Sequence, residues 1–380
     1  MVKNKSDKNR RFSHRHSNKS GQVQLTFSWI YIMLAGAIIL LFFVGLVFKQ
    51  QAAAEESLAF DVVQIMDSIF TGAQVSEKTK NFIDVSGLAD YTLSFTCEDG
   101  LSEFGIKGQS SPAQNVVDPI FSPQEIKTTL LILWSLPYKL PFKVIDFMFV
   151  TSINTKYFIL GDGSGFSEEF YNATKDFNRV LVSNPAEIDP GKNFQVRIID
   201  LDGVYVQSGQ PVPEKLSSLD DNKVTAVSFT ASNMVNYFQK EGNFWKQTNL
   251  NLVQIISLSG ERNAAKYAAI FAANDKVYKC NMNKAFLRLK YLIEIYEEKA
   301  KELESHYNLN PELQLNKDCL NYIQKGGHEQ NINGALESLK NIVNGCLLKP
   351  SLCGGLLQPA EDLKQANIDL GEKGDCLTLY

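Results

Sequence analysis

A chain of 380 residues with 44% apolar and 21% charged residues has the composition of a folded protein with a sizeable core, which excludes general disorder. The formal net charge of -4 is uneven: residues 1–20 hold seven basic residues against the single acid Asp7, a net +6, which leaves -10 for the rest. An acidic body of that kind excludes nucleic acid as the expected partner.

Residues 1–24 read as a basic cytoplasmic tail and residues 25–48 (LTFSWIYIMLAGAIILLFFVGLVF) as a transmembrane helix. The uncharged run extends from Ser20 to Phe48, and Leu25 to Phe48 as a helix covers about 36 Å, enough for a bilayer core of roughly 30 Å. Cationic flanks stay in the cytoplasm, so the expected localisation is the cell membrane, single-pass, with the N-terminus inside and the C-terminal part outside. Ala52-Ala53-Ala54 offers an A-x-A cleavage site, but the apolar core is longer than a signal-peptide h-region, so the span is expected to be retained.

Residues 49–72 continue as a stalk helix: Leu58, Val62, Ile65 and Ile69 recur on one face, with Gly72 as the expected C-cap. That face packs on the protein's own body or pairs with another copy or envelope protein. Residues 73–142 form a small antiparallel β unit, in which 91–97 (YTLSFTC) alternate and Glu98-Asp99-Gly100 turns the chain back into 101–107, with a further strand at 115–121. The apolar stretch 128–150 is strand material around a bend set by Pro137 and Pro141, and its lysines and Asp146 exclude a second span.

Residues 143–279 form an α/β layered body. Strands at 143–151, 156–160, 180–182, 195–201, 224–229 and 252–258 are interleaved with helices at 167–177 and 232–240, and Asp202-Gly203 is the dipeptide of a hairpin turn. Residues 280–380 are helical and cysteine-bearing. Met282, Phe286, Leu289, Ile293, Tyr296, Ala300, Leu303 and Tyr307 make a heptad seam, and Ile332, Leu336, Leu339 and Val343 make a shorter one, so an antiparallel helical hairpin is expected to use both internally. The fold class is mixed α/β and α+β.

Cys97, Cys280, Cys319, Cys346, Cys353 and Cys376 all follow the uncharged run, and an even set reads as disulfides. Cys280 opens the lead helix and Cys346 closes the returning one, so a Cys280–Cys346 bridge is expected to staple the hairpin, with local Cys346–Cys353 as its rival. No metal site is expected, because close Cys pairs with histidines are missing.

Phe121-Ser122-Pro123, Trp134, Leu140-Pro141-Phe142-Lys143-Val144, Ile270-Phe271, Tyr278-Lys279-Cys280-Asn281-Met282, Arg288-Leu289, Ile295-Tyr296 and the terminal Cys376 to Tyr380 resemble a group of uncharacterised archaeal single-pass membrane proteins. That resemblance implies a location and an architecture, with no catalytic residues. Lys19-Ser20-Gly21-Gln22 before the apolar helix resembles the processing site of archaeal type IV pilin precursors, with Thr26 where such pilins often carry glutamate, and implies a pilin-like subunit.

The one stretch with a ligand-loop pattern is Gly161-Asp162-Gly163-Ser164-Gly165, between an expected strand and an expected helix, where backbone N–H groups could cradle phosphate. Phe166 stands where a dinucleotide fingerprint needs its third glycine, no GK[ST] follows, and Ser164 lacks the glycines of a nucleophile elbow. Gly161, Gly163 and Gly165 are thus candidate binding residues, with no cofactor expected. His306 and His328 read as solvated, leaving no catalytic candidate, and Asn172-Ala173-Thr174 is a glycosylation sequon. The expectation is a membrane-anchored surface protein for non-catalytic interaction or envelope scaffolding. The alternatives are a pilin-like subunit and a ligand-binding or hydrolytic domain using the 161–165 loop.

Overall fold

The computed structural model describes residues 32–46, 49, 66, 68, 72, 80–109, 112–163, 165–191, 195–230, 233–258, 263–309, 313–327, 330–374 and 376–380. It divides into two compact units, Met1–Leu58 and Ala59–Tyr380. In the first, 32–46 are helical with their large apolar side chains exposed. The rest of the expected span, 25–31 and 47–48, lies outside the described residues, as do Leu58, Val62, Ile65 and Ile69 of the expected stalk. Among the described residues no helix is long and apolar enough to cross a membrane. Gly72, expected to cap the stalk, is itself helical.

The second unit is a mixed α and β body with three sheets among the described residues and a helical C-terminal layer. A four-stranded antiparallel sheet runs in the order β4 (Ala113–Asn115), β3 (Leu101–Ile106), β2 (Leu93–Glu98), β6 (Glu125–Ile126). The alternation in 91–97 holds: Leu93, Phe95 and Cys97 point inward, and Met66 packs into the same cluster as Leu93 and Phe95. The expected strand at 115–121 is broken into β4 and β5 (Ile120–Phe121). Asn115 makes the break, because its side chain accepts from Val117 and Asp118 N–H and ends the ladder there.

A second sheet has the order β1 (Lys80–Asp84), β7 (Leu130–Lys139), β8 (Lys143–Ser152), β5. Its central hairpin is apolar on both faces because both are covered: Leu131, Leu133, Met148 and Val150 meet the small sheet, while Trp134, Tyr138, Phe147 and Phe149 meet the helices. The expected bend contains a cis Leu140–Pro141 bond.

The third sheet carries parallel strands β10 (Asn178–Val182), β9 (Thr155–Leu160), β11 (Gln195–Asp200) and β12 (Val224–Thr230), extended antiparallel by β13 (Met234–Glu241), β14 (Phe244–Gln247) and the short β15 (Val253–Gln254). Two expectations are corrected here. The expected helix at 232–240 is strand β13, because Val235 and Tyr237 pack on one face of the sheet and Phe238 on the other, the period of a strand. Asp202-Gly203 turns the chain but makes no hairpin, since β11 pairs in parallel with β9 and β12. Gly203 has φ +74, and a Cβ there would run into the Phe229 carbonyl oxygen.

Helix α1 (Phe166–Ala173) links β9 to β10, and α2 (Ala264–Phe271) packs under the sheets beside Trp134. Helix α3 (Asp275–Asn308) follows at once, its N-cap Asn274 accepting from Val277 N–H. Its seam from Met282 to Tyr307 is buried except for Tyr296, which is half-buried, and it packs with α5 (Ile332–Leu348), whose Ile332, Leu336, Leu339 and Val343 are also buried. The expected hairpin is therefore present, with α4 (Gln314–Ile323) between its arms and α6 (Leu357–Glu372) added.

All six cysteines are paired, which fits an oxidising compartment: Cys97–Cys280, Cys319–Cys376 and Cys346–Cys353. The expected Cys280–Cys346 bridge is wrong. Cys346 does return to the level where α3 begins, since it lines one cavity with Tyr278 and Met282. Cys280, though, is turned toward β2, and the turn at Pro350 brings Cys353 back to Cys346.

Candidate anion-binding site

The parallel strands start at one edge of the third sheet, where β9 opens with Thr155, β11 with Gln195 and β12 with Val224. Against this edge lie the C-terminal end of α2 and the N-terminal end of α3, and between them is a cavity of about 100 Å³. A second cavity of about 300 Å³ shares Gln124, Thr248 and Asn274 with it and extends along β2 to Cys97. Together they form a cleft bounded by the small sheet, the edge of the parallel sheet and the start of α3.

The dominant group on its wall is Arg197, 5% exposed, in the middle of the apolar strand QVRIID. Its Nε donates to the Ile270 carbonyl at 3.0 Å, and Nη2 donates to Ala272 at 2.8 Å and Ala269 at 3.4 Å. These are the carbonyls at the C-terminal end of α2, where the helix dipole favours a cation. The guanidinium also lies 5.6 Å from the centre of the Tyr237 ring. Among the described residues no carboxylate pairs with it, and Nη1 takes no part in the carbonyl bonds. Burial pulls the group down to about 10, which leaves it charged at neutral pH. Burying a cation without an anion costs several kcal/mol.

The rest of the wall supplies donors. The side-chain amides of Gln124, Asn222 and Gln239 make no hydrogen bond within the protein among the described residues, and Lys223, paired with Asp220 at 2.7 Å, stands at the rim. Asn274 belongs to the positive end of α3. Glu125 is on the wall as well, but pairs with Lys107 at 2.8 Å. Tyr157 contributes a neutral phenol, pushed up by burial and bonded to Thr151 Oγ1 at 2.6 Å. Chemically the wall combines a desolvated guanidinium with side-chain amides, which matches a small carboxylate or similar anion.

The 161–165 loop lies at the opposite edge, beyond the C-terminal ends of β9 and β11, the switch point at which open α/β sheets commonly bind ligands. Its anion is already supplied by the protein. Asp202 accepts from Asp162 N–H at 3.2 Å and from Gly163 N–H at 3.1 Å. Asp162 turns inward to accept from Gly165 N–H and Ser167 Oγ, each at 3.0 Å. Gly161, at φ +79, is needed because a Cβ there would overlap the Asp202 carboxylate. Ser164 lies outside the described residues.

His306 is exposed near the end of α3, and His328 lies outside the described residues. Asn172 is exposed on α1, while the hydroxyl of Thr174 in its sequon is buried and donates to the Phe170 carbonyl at 2.6 Å. Among the described residues no group of three or more His, Cys, Asp or Glu side chains could hold a metal ion. Reading from motifs passed over Arg197. Its signal is a lone arginine inside an otherwise apolar run that reads as a parallel strand. Comparison of the chain with protein-family models, with curated proteins and with solved structures returns no match.

Proposed function

We propose that the chain is a single-pass, membrane-anchored extracytoplasmic protein whose body is a non-catalytic binding module for a small carboxylate. The anchor reading is supported by the uncharged run Ser20–Phe48 beside a tail of net charge +6, and the outside location by three disulfides. The binding reading is carried by Arg197, a buried cation with no carboxylate partner among the described residues, on the wall of a cavity that also holds the unbonded side-chain amides of Gln124, Asn222 and Gln239. A bound carboxylate would supply the missing charge.

The test is calorimetric titration of the full chain in lipid nanodiscs with acetate, succinate and inorganic phosphate. Acetate or succinate should bind more tightly than phosphate, and Gln239→Glu, which places a carboxylate on the cavity wall, should abolish binding while raising thermal stability. Unchanged affinity in Gln239→Glu, or no binding by the natural chain, overturns the reading. Protease added to intact cells should digest the part beyond residue 50; protection of that part removes the outside location. A mature N-terminus at Gln22 would replace the anchored reading by the pilin-like one.

A further inference from the structure

A separate cavity of about 410 Å³ lies between the first turns of α3, strand β15 and the turn closed by Cys346–Cys353. It shares no wall residue with the Arg197 cleft. Its volume is that of a small-molecule site.

Tyr278, Met282 and Phe286, each four residues after the last, form one wall along α3 over about 12 Å. Val253 and Ile256 contribute to the apolar lining opposite. The methionine makes that wall adaptable to a flexible guest. Asn251, Gln254, Asn283 and Ser351 add polar groups to the lining, and two lysines stand beside them. Lys349, at the end of α5, also lines the cavity, exposed and with no carboxylate partner among the described residues. The other lysine there, Lys279, is already paired with Asp275 at 2.8 Å.

A space with an apolar wall about 12 Å long and one uncompensated cation in its lining is complementary to a chain with one negative end. We infer that this cavity binds a single-chain anionic amphiphile, a long-chain carboxylate, with its chain along Tyr278, Met282 and Phe286 and its carboxylate at Lys349. The Lys349 charge separates this ligand from a neutral or cationic lipid.

The full chain in lipid nanodiscs is irradiated with dodecanoate carrying a terminal diazirine, and the labelled peptides are mapped. Label is expected in 278–286 and 252–256, suppressed by excess dodecanoate and untouched by butyrate. Lys349→Glu, at an exposed position, should lower that label by at least about fivefold. Met282→Trp, which fills the space, should remove it. Label confined to 25–48 would mean capture from the bilayer, and competition by butyrate would mean a bare anion site; either overturns the inference. So does body label that is indifferent to Lys349→Glu, an outcome that decides the matter even if Met282→Trp fails to fold.

Discussion

Lys284 lies one turn beyond Cys280 on α3 and points the same way, into the contact with the small sheet. Its ammonium donates to Ser102 Oγ at 2.7 Å and to the carbonyls of Asn115 at 2.8 Å and Asp118 at 3.1 Å. Asn281 beside it bonds both ways with the backbone of Ile120. Burial pulls Lys284 down to about 8 from 10.5, with the Asp118 carboxylate acting in the opposite direction. Between those two pH values the unfolded chain holds a proton that the folded chain has released, so stability contributed by this residue rises as pH climbs from about 8 to about 10. The gain is on the order of 1 kcal/mol once screening by solvent is allowed for. Urea midpoints measured across that range should rise in the natural protein and stay flat in Lys284→Met; parallel curves would show that the residue does not titrate there. In the sequence the seam from Met282 to Tyr307 was plain. The second stripe, Cys280, Asn281 and Lys284, was hidden because a lysine and an asparagine read as solvent-facing until something is known to cover them.

At the scale of an element, the turn between β9 and α1 shows how far local pattern carries. The strand, the glycines and the helix were legible, since each depends on neighbours in sequence. The occupant of the turn was not, because Asp202 follows β11 some forty residues later and reaches the loop only when the two strands lie side by side. Strand β13 was misread for a related reason: Met234–Glu241 takes its conformation from pairing with β12 and β14, which overrides its local preference. Asp202→Ala should cost about 1 kcal/mol in stability, the loss of two solvent-edge hydrogen bonds. It should also expose the loop N–H groups to inorganic phosphate, adding a weak binding event by titration to whatever the Arg197 cleft takes up in the natural protein. Equal phosphate binding at this loop in both proteins would show that Asp202 does not fill it.

Across the whole unit Ala59–Tyr380, the small sheet is joined to α3 by Cys97–Cys280, the C-terminal tail to α4 by Cys319–Cys376, and the third bridge is local. The tail is further held by Lys299 Nζ on the Leu379 carbonyl and by Asn367 on both Leu379 N–H and the Tyr380 carbonyl. In the loop-entropy picture a bridge of separation 183 constrains the unfolded chain by about 5 kcal/mol and one of separation 7 by about 2 kcal/mol. The double substitution Cys97→Ser with Cys280→Ser should therefore destabilise the body more than Cys346→Ser with Cys353→Ser. The reverse order in thermal unfolding would mean that the local turn, and not the long closure, limits stability. That cysteines pair could be read from their even number, but which ones pair follows from where Cys280 points, a property of packing rather than of spacing.

The pattern of bridges also sets an order of assembly. As a chain is delivered from its N-terminus, Cys97 emerges first and Cys280 second, so the first thiols to meet are native partners and stepwise oxidation joins them without correction. Cys346 and Cys353 then close on each other almost as soon as both appear. Cys319 alone is made before its partner with wrong thiols between them, and it must wait until Cys376 has arrived. An isomerase or a delay in oxidation is thus needed chiefly for one thiol, and a chain ended before residue 376 would leave that thiol to form mixed disulfides with its neighbours.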